Sequence, residues 1–345
     1  MTLADKGGSG SAPAGVEDLV TIVIPARNEE RSIRGCVASI QAQTHRNLQI
    51  IVVDGDSEDG TAAVVKDIAD ADPRVELIVN PQRVIPVSLN LAVAAARAPW
   101  LVRVDAHATV PPDYVARAVG HLATGRWGGV GGRKDGVGRT PAGRAIAAAM
   151  ESRFGVGGST YHHGTTVQTV EHVPFGAYTL EVVRALGGWD ERLRVNQDFE
   201  FDYRVRKAGY ELLFDPALRI DWESRQSVSA LFSQYRRYGR GKVRVARLHP
   251  ASLRGRHLTA PALVATVAVA AVVAVHRPGR AAAMLAPYLA VLAAAGRRTA
   301  RPLDREAKPW VVPAFLAMHV GWGLGFWEGV AGTAQEMLRG PGRVR

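Results

Sequence analysis

Three acidic residues stand where apolar or polar runs change character. In "LVRVDAHATVPP", residues 101–112, Asp105 and His107 sit two positions apart just as a β-branched run ends. A carboxylate and an imidazole at that spacing form either a capped turn or half of a metal site for a phosphorylated ligand. Asp54 closes "LQIIVVD", an otherwise apolar run, where a carboxylate can accept from a ligand N–H or hydroxyl. Capping of the helix near Gly60 is the other role for it, but Ser57 and Asp59 already serve that purpose. Asp198 opens a helical stretch whose positive end favours the ionised carboxylate, as a proton acceptor or as a simple N-cap.

These residues need elements to hold them. The runs "LVTIVIP", "LQIIVVD", "VELIV" and "WLVRVD" alternate with helical stretches near 29–43, 60–71, 86–97 and 111–123. That alternation predicts βαβ units, an α/β fold with a mainly parallel sheet and helices on both faces. Ligands of such sheets bind beyond the carboxyl ends of the strands, where Asp54 and Asp105 stand. Neither G-x-G-x-x-G nor G-x-x-x-x-G-K-[ST] follows any of these strands. A nucleotide bound here therefore needs another way to neutralise its diphosphate, and a divalent cation on carboxylates is the economical one.

Composition narrows the class. With 345 residues, 47% of them hydrophobic, the chain holds enough for a sizeable core and something more. The surplus falls in apolar segments at 258–275, 281–295 and 310–327, the first uncharged and close to the length of a spanning helix. Three full crossings would place the basic end "LRGPGRVR" outside, against the positive-inside tendency, so one segment is expected to be re-entrant or interfacial. The formal charge of +11 gathers largely in "QYRRYGRGKVRVARLHPASLRGRH" and "GRRTARPLDREAK", beside those segments. That placement suits an anionic membrane leaflet better than a nucleic-acid groove, so no nucleic-acid partner is expected. The single cysteine, Cys36, leaves no internal disulfide framework and fits a reducing compartment. Residues 1–18 read as a flexible tail rather than a signal peptide.

"TIVIPARNEE", "IIVVDGDSEDGT", "VRVDAHA", "GGWDERLRVNQDFEFDYRVRKAGY" and "QYRRYGRGK", in that order, resemble the inverting glycosyltransferase family 2, with its GT-A fold, and within it the bacterial exopolysaccharide branch. The resemblance covers about residues 19–250, and a C-terminal membrane anchor also occurs in that branch. It implies that Pro25, Asn28 and Glu29 line a nucleotide pocket in which Asp54 reads the uracil edge of a UDP-sugar. Where the family usually has "VDDGS" this chain has "VDGDS", which displaces the second acid to Asp56; Arg83 assists the nucleotide. Asp105 and His107 occupy the family's D-x-D position, which implies Mn²⁺ or Mg²⁺ on these two residues, with Asp105 also on the sugar diphosphate. Asp198 matches the family's catalytic base, with Gln197 in place of the usual preceding Glu. Trp189 and Asp190, with Gln197, would lie on the acceptor side. Gln234, Arg237 and Tyr238 stand in for the Q-x-x-R-W element, with Tyr for Trp, and Arg237 would bind the departing diphosphate. The same run also reads as an interfacial face.

The expected organisation is a tail over 1–18, a catalytic domain over 19–250, a membrane-associated helical region over 251–335 and a basic tail over 336–345. The expected activity is transfer of a hexose from a UDP-sugar to a polyprenyl-diphosphate-linked saccharide during exopolysaccharide or cell-surface glycan synthesis. The expected place is the inner membrane, with the catalytic domain in the cytoplasm and other exopolysaccharide-assembly proteins as possible partners. The alternative is a catalytically silent, membrane-anchored scaffold of the same fold that binds nucleotide or glycan.

Overall fold

The computed structural model describes residues 18–339. Most of the two expected tails, 1–17 and 340–345, lies outside the described residues. Nine strands among the described residues form one sheet: β1 (Val20–Ala26), β2 (Leu48–Asp54), β3 (Val75–Val79), β4 (Trp100–Arg103), β5 (Ala108–Thr109), β6 (Trp127–Val137), β7 (Gln168–Val170), β8 (Ala177–Thr179) and β9 (Glu211–Glu223). Their order is β3-β2-β1-β4-β8-β6-β9-β5, with β7 also on β9. The strands β1 to β4 pair in parallel as their hydrophobic runs predict. Beyond β4 the sheet is mixed: β8 runs antiparallel to β4 and β6, β6 and β9 are parallel, and β5 and β7 are antiparallel to β9.

Among the described residues twelve α-helices accompany these strands: α1 (Ile33–Gln41), α2 (Thr61–Ala71), α3 (Ile85–Ala95), α4 (Tyr114–Leu122), α5 (Pro141–Glu151), α6 (Arg153–Val156), α7 (Leu180–Ala185), α8 (Gln197–Lys207), α9 (Val228–Leu248), α10 (Thr259–Ala274), α11 (Pro278–Ala300) and α12 (Val311–Arg339). Strand alternation assigns them to faces. Ile22, Ile24, Ile50 and Val52 point to one side, against α1, α2 and α4; Val23, Ile51, Val53 and Leu101 point to the other, against α3, α7 and α8. In α1 the residues Ile33, Cys36, Val37 and Ile40 recur at helical spacing and are all fully buried, each large side chain contributing about 1.5–3 kcal/mol.

The antiparallel half is hidden in the sequence by glycine. β6 reads "WGGVGGRKDGV" because its neighbours come too close for side chains. A Cβ on Gly129 would stand 2.6 Å from Tyr178, and one on Gly132 would stand 1.7 Å from the carbonyl oxygen of Leu218, where the β6–β9 register shifts.

Chain order creates a switch point. β2 and β3 lie on one side of β1 and the chain then crosses to β4 on the other, so the loops after β1 and β4 leave the sheet side by side. Asp105 follows β4 there and lines the same cavity as Asp198, whereas Asp54 at the end of β2 does not line it.

Of the C-terminal helices α12 docks on α9, and α10 and α11 pack against α12 and each other. The segment that looked most membrane-like, 258–275, forms the shortest of the three helices: sixteen residues of α10 rise only about 24 Å, short of a hydrocarbon core of about 30 Å. Residues Pro278–Ala300 and Lys308–Ala334 are long and apolar enough to cross a membrane. Val272 and Val275 are about three-quarters exposed, and Leu289, Val291 and Trp327 are also exposed, an apolar surface that a bilayer would cover. α12 approaches α9 through small residues. A Cβ on Gly325 would come within 1.9 Å of the Arg236 carbonyl oxygen, one on Gly239 within 2.1 Å of that of Trp322, and Gly321 and Gly329 face α9 a turn to either side. Glu328 of α12 ties this seam to Arg236, at 2.6 Å, and to Arg240. Gly325→Leu is expected to destabilise the protein by about 2–3 kcal/mol or undock α12, read as a lower thermal midpoint and faster proteolysis in detergent; an unchanged midpoint would mean the helices are not held by this close approach.

Candidate active site

The loop after β1 and the loop after β2 are zipped together. The Asn28 N–H donates to Ser57 Oγ and Asn28 Oδ1 accepts from the Glu58 N–H, both at 2.9 Å. Asn28 holds φ 56°, a left-handed conformation that asparagine tolerates better than most residues. The Glu29 N–H donates to Thr61 Oγ1 at 2.8 Å. Pro25 lies opposite Val53, and Ala26, the last residue of β1, lies opposite Asp54. Asp54 is buried and accepts from the Ser57 N–H at 3.0 Å and from its hydroxyl at 2.5 Å, so it organises its own loop. Asp56 and Arg83, both at positive φ and both exposed, form an ion pair at 2.5 Å, and Glu58 joins Arg83 at 2.9 Å. Pro25, Asn28, Glu29, Asp54, Asp56 and Arg83 are not among the residues that line the main cavity.

Across the switch point, Trp222 on β9 donates its indole N–H to His107 Nε2 at 2.7 Å. The proton of His107 is therefore on Nδ1, which donates to Glu29 Oε1 at 2.8 Å. Glu29 also accepts from the Ser32 hydroxyl at 2.6 Å. Burial pushes the Glu29 carboxyl up, but His107, Ser32 and Arg225 outweigh it and hold it below its ordinary value. With both ring nitrogens committed, His107 has no lone pair for a cation. In this structure His107 fastens the β4 end to the β1 end and lines the main cavity.

Asp105 differs. Among the described residues its carboxylate is bonded only by Arg103, whose Nε reaches Oδ1 at 3.0 Å and Nη2 reaches it at 2.9 Å. Arg103 is itself buried, and its Nη1 has no partner among the described residues. A second oxygen on Asp105 for a cation and an orphan donor for a phosphate oxygen suit a metal–diphosphate group. No cluster of three or more His, Cys, Asp or Glu capable of holding a metal ion occurs among the described residues.

Asp198 stands in the first turn of α8, after Asn196, which takes φ 60° and donates its side-chain N–H to the Tyr238 carbonyl oxygen at 3.1 Å. Asp198 Oδ1 accepts from the Phe199 N–H at 2.8 Å, and Oδ2 faces His172 Nε2 at 3.9 Å. The other ring nitrogen of His172 donates to Asp202 at 2.7 Å; Asp202, fully buried, also accepts from the Val173 N–H and the Tyr178 hydroxyl. Burial would lower the imidazole, but the bond to Asp202 and the charge of Asp198 hold it above its ordinary value. For Asp198 burial pushes up, while His172, Arg103, the Phe199 N–H and Lys134 push down and prevail, so the carboxylate is held charged. Lys134 on β6 lies in the same cavity, 3.5 Å over the Trp222 ring, brought down to about 8 by burial although Asp105 and Asp198 both favour its charge.

Asp105, Asp198, Gln197, Gln234, Arg237 and Tyr238 share one cavity of about 1330 Å³ that runs on to α10 and α12. Gln234 is buried, donates to the Tyr238 hydroxyl at 3.0 Å and has an orphan Oε1. Trp189 and Asp190 are not among its lining residues. Trp189 is buried in the core, stacked on Phe201 at 4.7 Å, and Asp190 is paired with Arg192 at 2.6 Å, so the structure does not bring these two together with Asp105 and Asp198.

The glycosyl transferase family 2 model matches residues 21–179. Over 311 residues, 89% of this chain and 93% of the other, the sequence is 33% identical to succinoglycan biosynthesis protein ExoA of Rhizobium meliloti. The chain belongs to glycosyl transferase family 2. A second relative, a dolichyl N-acetyl-α-D-glucosaminyl phosphate 3-β-D-2,3-diacetamido-2,3-dideoxy-β-D-glucuronosyltransferase of Methanococcus voltae, is 24% identical over 65% of this chain and 73% of its own. The GT-A fold is shared with the mannosyltransferase PcManGT from Pyrobaculum calidifontis, solved with GDP-Man and Mn²⁺, at a TM-score of 0.65 and 20% identity over 90% of this chain and 86% of that one.

The transferase carries a titratable cation that no motif exposed. As pH rises through about 8, Lys134 loses its charge and both carboxylates lose a counter-charge. The kcat/KM profile is expected to fall on that alkaline side, and Lys134→Arg, charged throughout, to move the limb upward; a limb unmoved by that substitution would exclude Lys134 as its origin.

Proposed function

We propose that this glycosyltransferase inverts the anomeric centre of a UDP-hexose as it passes the sugar to a lipid-linked saccharide in exopolysaccharide synthesis. The observation that carries the reading is the single cavity that joins Asp105 and Asp198, at the catalytic end, to the apolar helices α10 and α12. Relatives of succinoglycan synthesis support the pathway class. The nucleotide would lie along Pro25, Asn28, Asp54, Asp56 and Arg83, and its diphosphate would reach Asp105 and the free donor of Arg103. A divalent cation, Mn²⁺ or Mg²⁺, would be held by Asp105 together with the diphosphate and would screen its charge as it leaves.

Asp198 Oδ2 takes the proton of the acceptor hydroxyl. The hydroxyl oxygen bonds to the anomeric carbon, the bond from that carbon to the β-phosphate oxygen breaks, and the electron pair leaves with UDP. His172, fixed by Asp202, keeps Asp198 ionised until the proton arrives. Arg237, Tyr238 and Gln234 stand on α9 where they can meet departing phosphate oxygens. In this reading the apolar helices lie in the inner membrane and the catalytic domain faces the cytoplasm.

Purified protein in detergent is expected to release UDP from a UDP-hexose in the presence of a polyprenyl-diphosphate saccharide and Mn²⁺; no release with any UDP-sugar would remove the reading. Asp198→Asn is expected to lower kcat about 10²- to 10⁴-fold with donor binding retained, and unchanged turnover would rule it out as the base. Asp105→Ala is expected to abolish metal-dependent turnover, measured as loss of response to added Mn²⁺.

A further inference from the structure

Beyond Phe199, the residue that follows the proposed base, the cavity wall changes character. Lys242 on α9 is almost fully buried, its Nζ 3.6 Å over the Phe199 ring and donating to the Ser252 carbonyl oxygen at 3.2 Å. The His257 ring meets the other edge of Phe199 at 6.0 Å and lies 6.5 Å from the Trp322 ring of α12. Arg206 and Arg256 line the same stretch, and the Nε of Arg206 is buried with no partner among the described residues. One acid faces these cations: Glu171, paired with Arg256 and, at 3.1 Å, with Arg254. Burial and then the charges of Arg256, Arg206 and Arg254, opposed by Glu171, bring Lys242 down to about 7; burial, Lys242 and Arg256 bring His257 down to about 3. The positive charge here is under-compensated, and an anion would relieve it.

Immediately beside the cluster the wall turns apolar, with Ala260 and Leu263 of α10 and Trp322 of α12. We infer that Arg206, Lys242, Arg256 and His257 form a second phosphate subsite, distinct from the donor diphosphate site at Asp105, which holds the phosphate headgroup of the lipid-linked acceptor while its apolar chain runs along α10 and α12. The charge and the apolar wall are both needed: a soluble sugar has use for neither. Held there, the acceptor presents its saccharide toward Asp198, one residue from the aromatic ring on which the cluster rests. The inference rests on the lipid-linked acceptor of the preceding section.

The test uses the full chain in detergent with UDP and Mn²⁺ saturating, so that the donor side is filled, and farnesyl diphosphate, inorganic diphosphate and farnesol as probes. Farnesyl diphosphate is expected to bind at least about tenfold tighter than either of the others, with Trp322 beside His257 as an intrinsic fluorescent reporter. Arg256→Gln, at a half-exposed position, and Lys242→Met are each expected to weaken it about tenfold, whereas Glu171→Gln is expected to strengthen it. If Lys242→Met does not fold, Arg256→Gln and Glu171→Gln decide alone, because their effects have opposite sign. Equal affinity for inorganic and farnesyl diphosphate would overturn the lipid assignment in favour of a free-anion site; binding indifferent to Arg256→Gln and Glu171→Gln would overturn the subsite. UDP release by the wild-type protein is read separately, so a working transferase with no such binding refutes only this subsite.

Discussion

Two carboxylates must remain charged in one largely buried cavity, and the buried guanidinium of Arg103 makes that possible. It bonds Asp105 directly and also lowers the Asp198 carboxyl. Burial alone would push the Asp198 carboxyl toward protonation, and a protonated Asp198 cannot accept a proton. Arg103 cannot lose its own charge, so this counter-charge persists at every working pH, while Lys134 supplies one that pH can remove. The cost of burying Arg103 is offset by the acid it bonds and by Phe175, whose ring lies 5.5 Å away.

A second constraint is orientation. His107 joins Trp222 on β9 to Glu29 after β1, so three segments remote in sequence share one hydrogen-bonded line. His172 and Asp202 do the same for Asp198, with Tyr178 of β8 as a further anchor. The two imidazoles thus each engage carboxylates, His107 bonding Glu29 and His172 bonding Asp202 while facing Asp198.

The membrane-directed helices are part of this arrangement. α12 lies against α9 at backbone distance, and α9 carries Gln234, Arg237, Tyr238 and Lys242 into the cavity. Glycines in an apolar helix would weaken it in isolation, yet here they let two backbones meet without intervening side chains. The cavity and an apolar surface are thereby joined without a linker.

The parallel strands β1 to β4, their helices and the ends at which Asp54 and Asp105 stand were legible in the sequence, because a strand buried on both faces leaves a continuous apolar run and an acid at its end is conspicuous. The family was legible too, from motifs in fixed order. The antiparallel half was not: β6 is written in glycine because its packing partners supply the bulk. Nor was the order of merit among apolar segments, since absence of charge in 258–275 said nothing of its length as a helix. Trp189 in a family-like loop and His107 beside Asp105 looked like ligand groups by type and spacing alone. Only the tertiary structure decided their surroundings, because it alone shows the stacked Phe201 and the Trp222 indole that meet them. Lys134 and His172 lie in no motif, and Asp202 and Lys242 lie inside motif segments that gave them no role of their own; their chemistry comes from burial and from charges that arrive from other parts of the chain, and neither is a property of local sequence.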